Sequence, residues 1–365
     1  EATDMRLTGD GTVDADGLGY AQDGTGAGSA DDANGGTGAS HGGSGGSVSY
    51  SANQATTTHG DAEQPTAYGA GGGGLGTTAN VRLGGSGGGR VLLTVSGALA
   101  LDGARTRVSA NGLAGADGLV EGSVGARDFA LNGGASGSGT ERFGGGGGAG
   151  GSVWIVAANV TGDGAIEADG GAGGDAGIYA GVRWWGGGGG SGGRIAVHCT
   201  NCSSLSDASY DAGVARWGPW ALSALGGSGG ASWDDRSGDE LLYRVEAGAA
   251  GTVFGDVAGD RTLLVNGGGA AAAPSSGRRL DAAGDLTSDS ALAWTTLSGS
   301  SLASLSQLVL RDCKLKLQAA ANVATVESHN AVVEVTSPLT VTAALRVRSG
   351  VWFLGSTTVV AELSV

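Results

Sequence analysis

Asp10, Asp14 and Asp16 stand close together near the start of the chain, and Asp163, Glu167 and Asp169 repeat their spacing further on. Clustered carboxylates suit calcium, a hard cation that takes about six to eight oxygens. Asp175 joins the set. It closes Gly170-Gly171-Ala172-Gly173-Gly174-Asp175, which matches a calcium-binding Gly-Gly-x-Gly-x-Asp phrase except that the next apolar residue, Ile178, falls one place late. Asp10, Asp14, Asp16, Asp163, Asp169 and Asp175 are therefore candidate calcium ligands. The alternative for each is a solvated turn aspartate. No other cofactor is expected.

Cys199 and Cys202 form a single Cys-x-x-Cys, with only His198 beside it. Zinc needs four ligands, so the pair is read as a local disulfide, with free buried thiols as the alternative. Cys313 is left over, to pair elsewhere or to stay reduced in a core. Asn159-Val160-Thr161 and Asn201-Cys202-Ser203 are sequons, which makes Asn159 and Asn201 candidate glycosylation sites. Disulfide and sequons together point to an extracellular setting.

Catalytic patterns are sparse. Arg311-Asp312 is an adjacent charged pair, but neighbours on a strand point to opposite faces and do not converge on one substrate. His41, His59, His198 and His329 show no partner spacing, and the Gly runs lack the lysine and helix of a phosphate loop. An enzyme is not expected. Trp184, Trp185, Trp217 and Trp220 offer faces for sugar stacking or for shielding bare backbone. Asp and Glu number 35 against 20 Lys and Arg, a net charge of −15 that argues against nucleic acid as a partner. No apolar run reaches the ~20 residues of a membrane helix.

The elements that must position these groups are unusual. Glycine supplies 78 of 365 residues, largely in runs that follow an aromatic residue and precede a strand. Tyr68, Phe143 and Trp185 each lead into such a run, and Ser152 to Val156 and Arg194 to Val197 are the strands after two of them. A recurring phrase means a repeating architecture. There is no chain-wide Gly-X-Y period, which excludes collagen. A Gly costs about 0.5–1 kcal/mol against Ala inside a regular element, so a run must gain the close backbone approach that a side chain forbids. Extended polyproline-II-type glycine segments, bundled and hydrogen-bonded to one another, meet that requirement.

A second phrase also recurs. Thr8 to Gly17 and Thr161 to Gly170 are identical at seven of ten positions, and Ser96 to Gly112 is a looser copy. The apolar and polar alternation in these segments predicts strands with one face inward. Three regions follow: a glycine-rich repeat solenoid over 1–203, an irregular β region with loops over 204–300, and parallel β-helix coils over 301–365. In the last, only Gly350 and Gly355 remain, and strands recur at about 20 residues. The expected fold is all-β: a right-handed parallel β-helix with polyproline-II-like polyglycine segments in its N-terminal part. The chain begins at Glu1 and ends within a strand-like run, so it reads as a segment of a larger protein.

The glycine phrases, with Leu242-Tyr243-Arg244-Val245 and Leu263 to Gly268, resemble glycine-rich repeats of large secreted surface and filament proteins in bacteria, algae and other protists. The resemblance covers most of 1–270 and carries no catalytic motif. It implies an extracellular structural role, such as a subunit of algal flagellar hairs (mastigonemes), with copies of itself or other subunits as partners. An adhesin or carbohydrate-binding surface module is the second reading, and a polysaccharide-processing β-helix enzyme the third.

Overall fold

The computed structural model describes residues 2–21, 30–31, 35–48, 57–74, 83–118, 144–176, 183–184, 186–202, 209–211, 214–217, 220–234, 243–267, 279–280, 286–287, 293–297, 302, 304–354, 357–359 and 362–364. These residues form strands and extended segments, with no α-helix among them.

Each repeating unit contributes a pair of strands. The first unit gives β1 (Met5–Thr8) and β2 (Thr12–Asp14), the second β3 (Arg90–Asp102) and β4 (Arg107–Ser109), the third β5 (Ser152–Gly162) and β6 (Ala165–Glu167). The fourth gives β7 (Arg194–Cys199) and then, after the hairpin of β8 (Ser209–Asp211) and β9 (Val214–Trp217), β10 (Trp220–Ser223). In the fifth, β11 (Thr252–Val257) turns straight back into β12 (Asp260–Asn266).

First strands stack in parallel, in the order β1-β3-β5-β7-β11, within a thirteen-stranded main sheet. Second strands stack as β2-β4-β6-β10 in a six-stranded sheet, which β9 and β8 extend in antiparallel fashion. The alternation of the sequence explains the core between them. Val91, Val153, Ile195 and Val253 share one row of the main sheet, while Val13, Val108, Ile166 and Leu222 share one row of the second. Both rows belong to a single apolar cluster. Each buried Val, Leu or Ile there stabilises by about 1.5–3 kcal/mol. The repeated phrase thus stacks as aligned in its second strand. In the first strand the register is shifted: Arg6, not Thr8, stands in the row of Thr161. The turns between paired strands differ in length, and the first strand absorbs the difference.

The strand-rich end continues the main sheet. It consists of β13 (Thr295–Leu297), β14 (Leu305–Arg311), β15 (Lys314–Leu317), β16 (Ala321–Val335), β17 (Leu339–Leu354), β18 (Thr357–Val359) and β19 (Glu362–Ser364). The large parallel arrays of the all-β expectation are present, but not as one uninterrupted parallel stack. β11 and β12 pair antiparallel through a tight turn at Ala258 (φ 50°) and Gly259 (φ 90°), the positive-φ pair of a hairpin turn. No closed β-helix coil is found among the described residues. From β12 onward the strands β14, β16 and β17 stack in parallel again. Val323 pairs Val341 and Val332 pairs Val351, so the repeat is 18 to 19 residues, shorter than the ~20 expected from the sequence. The positive-φ corners Asp312 (45°), Asn330 (50°) and Ser349 (69°) recur at that interval.

Candidate functional site

The paired strands enter and leave a bundle of extended segments: 36–46, 69–74, 83–89, 110–118, 144–151, 168–176, 186–193, 224–231 and 245–251. Their backbone hydrogen bonds follow a three-residue period. Gly145, Gly148 and Gly151 donate to Ala116, Leu113 and Ala110, so those segments run antiparallel. Gly147 and Gly150 donate to Gly188 and Ser191, in parallel, while Gly146 and Ala149 donate to Gly73 and Ala70. In return, carbonyls of 144–151 accept N–H groups of Gly36 and Ala39, of Gly85 and Gly88, and of Gly171 and Gly174. The segment therefore donates to three neighbours and accepts from three others. Such packing leaves no room for side chains: a Cβ on Gly147 would overlap the carbonyl of Gly171.

Where the second strands enter the bundle, side-chain oxygens form a ladder. Asp16 Oδ1 accepts the N–H of Asn111 at 2.7 Å, Asn111 Oδ1 that of Asp169 at 2.7 Å, and Asp169 Oδ1 that of Leu225 at 2.7 Å. Six residues on, two turns of the three-residue period, the pattern repeats: Asp117 Oδ1 accepts from Asp175 at 2.8 Å, and Asp175 Oδ1 from Ala231 at 2.7 Å. Each rung ties one repeating unit to the next. The Ser223 hydroxyl adds a 2.6 Å hydrogen bond to Asp169. Burial, with Glu167 and Asp16 nearby, pushes the Asp169 carboxyl up to about 6.

This is how the structure places the candidate calcium ligands. Asp16, Asp169 and Asp175 are ladder acceptors. Asp14 accepts the N–H of Asp16 at 2.8 Å in an Asx turn and, with Asp16 and Glu167, lies 3.8 Å from the Arg107 guanidinium. Asp163 accepts from Gly103 at 2.7 Å, and Asp10 is exposed, 3.9 Å from Arg105. Among the described residues, no group of three or more His, Cys, Asp or Glu is arranged to hold a metal ion. Asn111, Asp117 and Arg107 were not singled out by sequence. The signal was there in glycines at every third place, Gly112, Gly115 and Gly118, with an Asx residue just before the first and last of them.

Cys199 and Cys202 are joined, with Cα atoms 5.8 Å apart. Cys313 is free and buried, and burial pushes its thiol up to about 12. Asn159 is half-buried on β5, and Asn201 is exposed. Trp217 and Trp220 lie in the core with edge-to-face rings, their centroids 6.5 Å apart, and the Trp220 indole donates to the Thr161 carbonyl. The Trp184 side chain, Trp185 and Phe143 lie outside the described residues. Tyr68, ahead of its glycine run, meets Tyr20 edge-on, with the Arg90 guanidinium over its ring.

The opposite face of the main sheet carries a strap, residues 57–68. Successive strands hold its carbonyls: Arg90 donates to Thr66, Ser152 to Ala67, Arg194 to His59, and His198 Nε2 contacts Glu63 O at 2.8 Å. Arg261 pairs with the Glu63 carboxylate. Beneath the strap His41 is fully buried, its ring 4.7 Å from that of His59. His41 Nδ1 faces the Gly150 carbonyl at 2.7 Å, so that nitrogen carries the proton. Burial and the neighbouring Arg194 hold the ring well below the usual histidine range, hence neutral. Arg194 is itself buried and lowered to about 10, which leaves it charged at neutral pH. This cluster fastens strap, sheet and glycine bundle together.

Comparison with family models, with curated proteins and with solved structures finds no match to this chain. No helix among the described residues is long and apolar enough to cross a membrane.

Proposed function

We propose that this chain is a structural segment of an extracellular filament, wall or surface assembly, with copies of itself or companion subunits as partners and no catalysis of its own. The observation that carries this reading is the six-neighbour bonding of segment 144–151. A chain that spends its glycines on lateral backbone bonding, and its aspartates on tying unit to unit, is organised for rigidity and repetition. We read the glycine segments as polyproline-II helices, because that conformation has three residues per turn and no internal hydrogen bonds. None of residues 144–151 has positive φ, as that conformation requires. We read the strand-rich end as the opening coils of a right-handed parallel β-helix, supported by its 18- to 19-residue pairing interval. The Cys199–Cys202 disulfide supports an oxidising, extracellular compartment.

Electron microscopy of native material labelled with an antibody to this chain tests the proposal. Ordered polymers bearing the label are expected. Label found only on dispersed single molecules, or inside cells, would overturn it.

A further inference from the structure

We propose that the outer face of β14, β16 and β17 binds an acidic polysaccharide, through carboxylate or sulfate-ester groups. On this face the apolar rows of the main sheet give way to charge. Val309 and Arg311 of β14 stand in register with Glu327 and His329 of β16, and these with Arg346 and Arg348 of β17. The six residues line one cavity of about 280 Å³. Side chains two apart on a strand share a face, so Arg311, His329 and Arg348 form one row across the strands, with Glu327 and Arg346 in the row beside it.

The charge balance makes the cleft stand out. Residues 1–300 carry 15 Lys and Arg against 31 Asp and Glu, residues 301–365 five against four. Three of those five cations line this cavity, and its one lining carboxylate, Glu327, is held by Arg346 at 3.1 Å. A guanidinium presents a planar fork of donors that matches a carboxylate or sulfate ester in a two-point contact. Arg311 and Arg348 are two strands apart, about 9.6 Å, and Arg346 and Arg348 about 6.6 Å along one strand. That spread suits an extended ligand with anionic groups at intervals better than one small ion. A nucleic acid is disfavoured, because the net charge of −15 repels its densely spaced phosphates.

This inference stands apart from the scaffold reading: binding can fail in a molecule that polymerises, and succeed in one that does not. The test titrates the whole chain with polygalacturonate, dextran sulfate, neutral dextran and a single-stranded oligonucleotide at low and physiological salt. Binding of at least one acidic glycan is expected, weakening with salt, with none to neutral dextran. The exposed double variant Arg346→Ser/Arg348→Ser should lose about tenfold or more, the equivalent of one charge-assisted contact. Glu327→Gln, which removes the repelling carboxylate, should tighten binding severalfold. The two acidic probes separate carboxylate from sulfate recognition. Binding to neither, parental affinity in the double variant with unchanged circular dichroism, weaker binding in Glu327→Gln, or tighter binding of the oligonucleotide would each overturn the proposal.

Discussion

The side-chain oxygen of Asn111 accepts the backbone N–H of Asp169 at 2.7 Å, across 58 residues of sequence. Asn111 and Asp169 occupy equivalent places in successive units, so one residue's side chain is bonded to the next unit's copy of its own position. The chemistry of the rung needs only an oxygen acceptor. Asn supplies it without charge, whereas Asp brings a carboxylate into a partly buried place.

That difference predicts a stabilising substitution. The folded Asp169 carboxyl titrates near 6, above its unfolded value of about 3.8, so the folded state binds its proton more tightly. Stability from this group is therefore greatest below pH 4 and falls as pH rises towards 6, then levels off. Asp169→Asn should add about 1–2 kcal/mol at pH 7.5 and nothing at pH 4. Denaturant melts at the two pH values measure it; equal effects at both would count against burial as the cause.

Glycines within the bundle and glycines in turns should respond differently to a methyl group. Gly147→Ala, meeting the Gly171 backbone, should cost about 3 kcal/mol or more. Gly259→Ala meets nothing within 4 Å and bears only the strain of φ 90°, about 1 kcal/mol. Similar costs for the two in thermal unfolding would contradict the close-packed bundle.

The cysteines should separate in an alkylation experiment. Cys313 should resist iodoacetamide in the native protein, since its thiol is buried and held protonated. Unfolding without reductant should expose one reactive thiol of the three, and reduction should add the Cys199–Cys202 pair. Mass spectrometry counts the adducts, and native labelling of Cys313 would show that corner to be open.

Asn330 combines a positive φ with a 2.7 Å hydrogen bond from its amide to Asp312. Asn330→Ala should cost about 1–2 kcal/mol, and Asn330→Gly should recover about 1 kcal/mol of that by relieving the backbone. Equal losses in calorimetry would place the whole effect in the hydrogen bond.

Some of this was legible in the sequence. The repeated phrase located Val13 and Ile166 in one core row, because strand alternation survives variable loops. The glycine runs announced close backbone approach. Asn111 and Asp117 stayed hidden because their segment, 110–118, has no glycine run. Its glycines fall on every third residue, enough to keep one side bare while Leu113 and Asp117 take the others. Arg194 was legible only as the first residue of a strand, since nothing local shows that residues 57–68, far earlier in the chain, will lie across it. The reversal at Ala258-Gly259 was equally silent, as a parallel and an antiparallel successor to β11 have the same alternation.

A sheet carries its hydrogen bonds along one direction and can be split between layers by sliding side chains. Segment 144–151 carries them to neighbours all round. Shear applied across its axis from any side must break backbone hydrogen bonds. Lateral strength within this glycine bundle then has no easy plane.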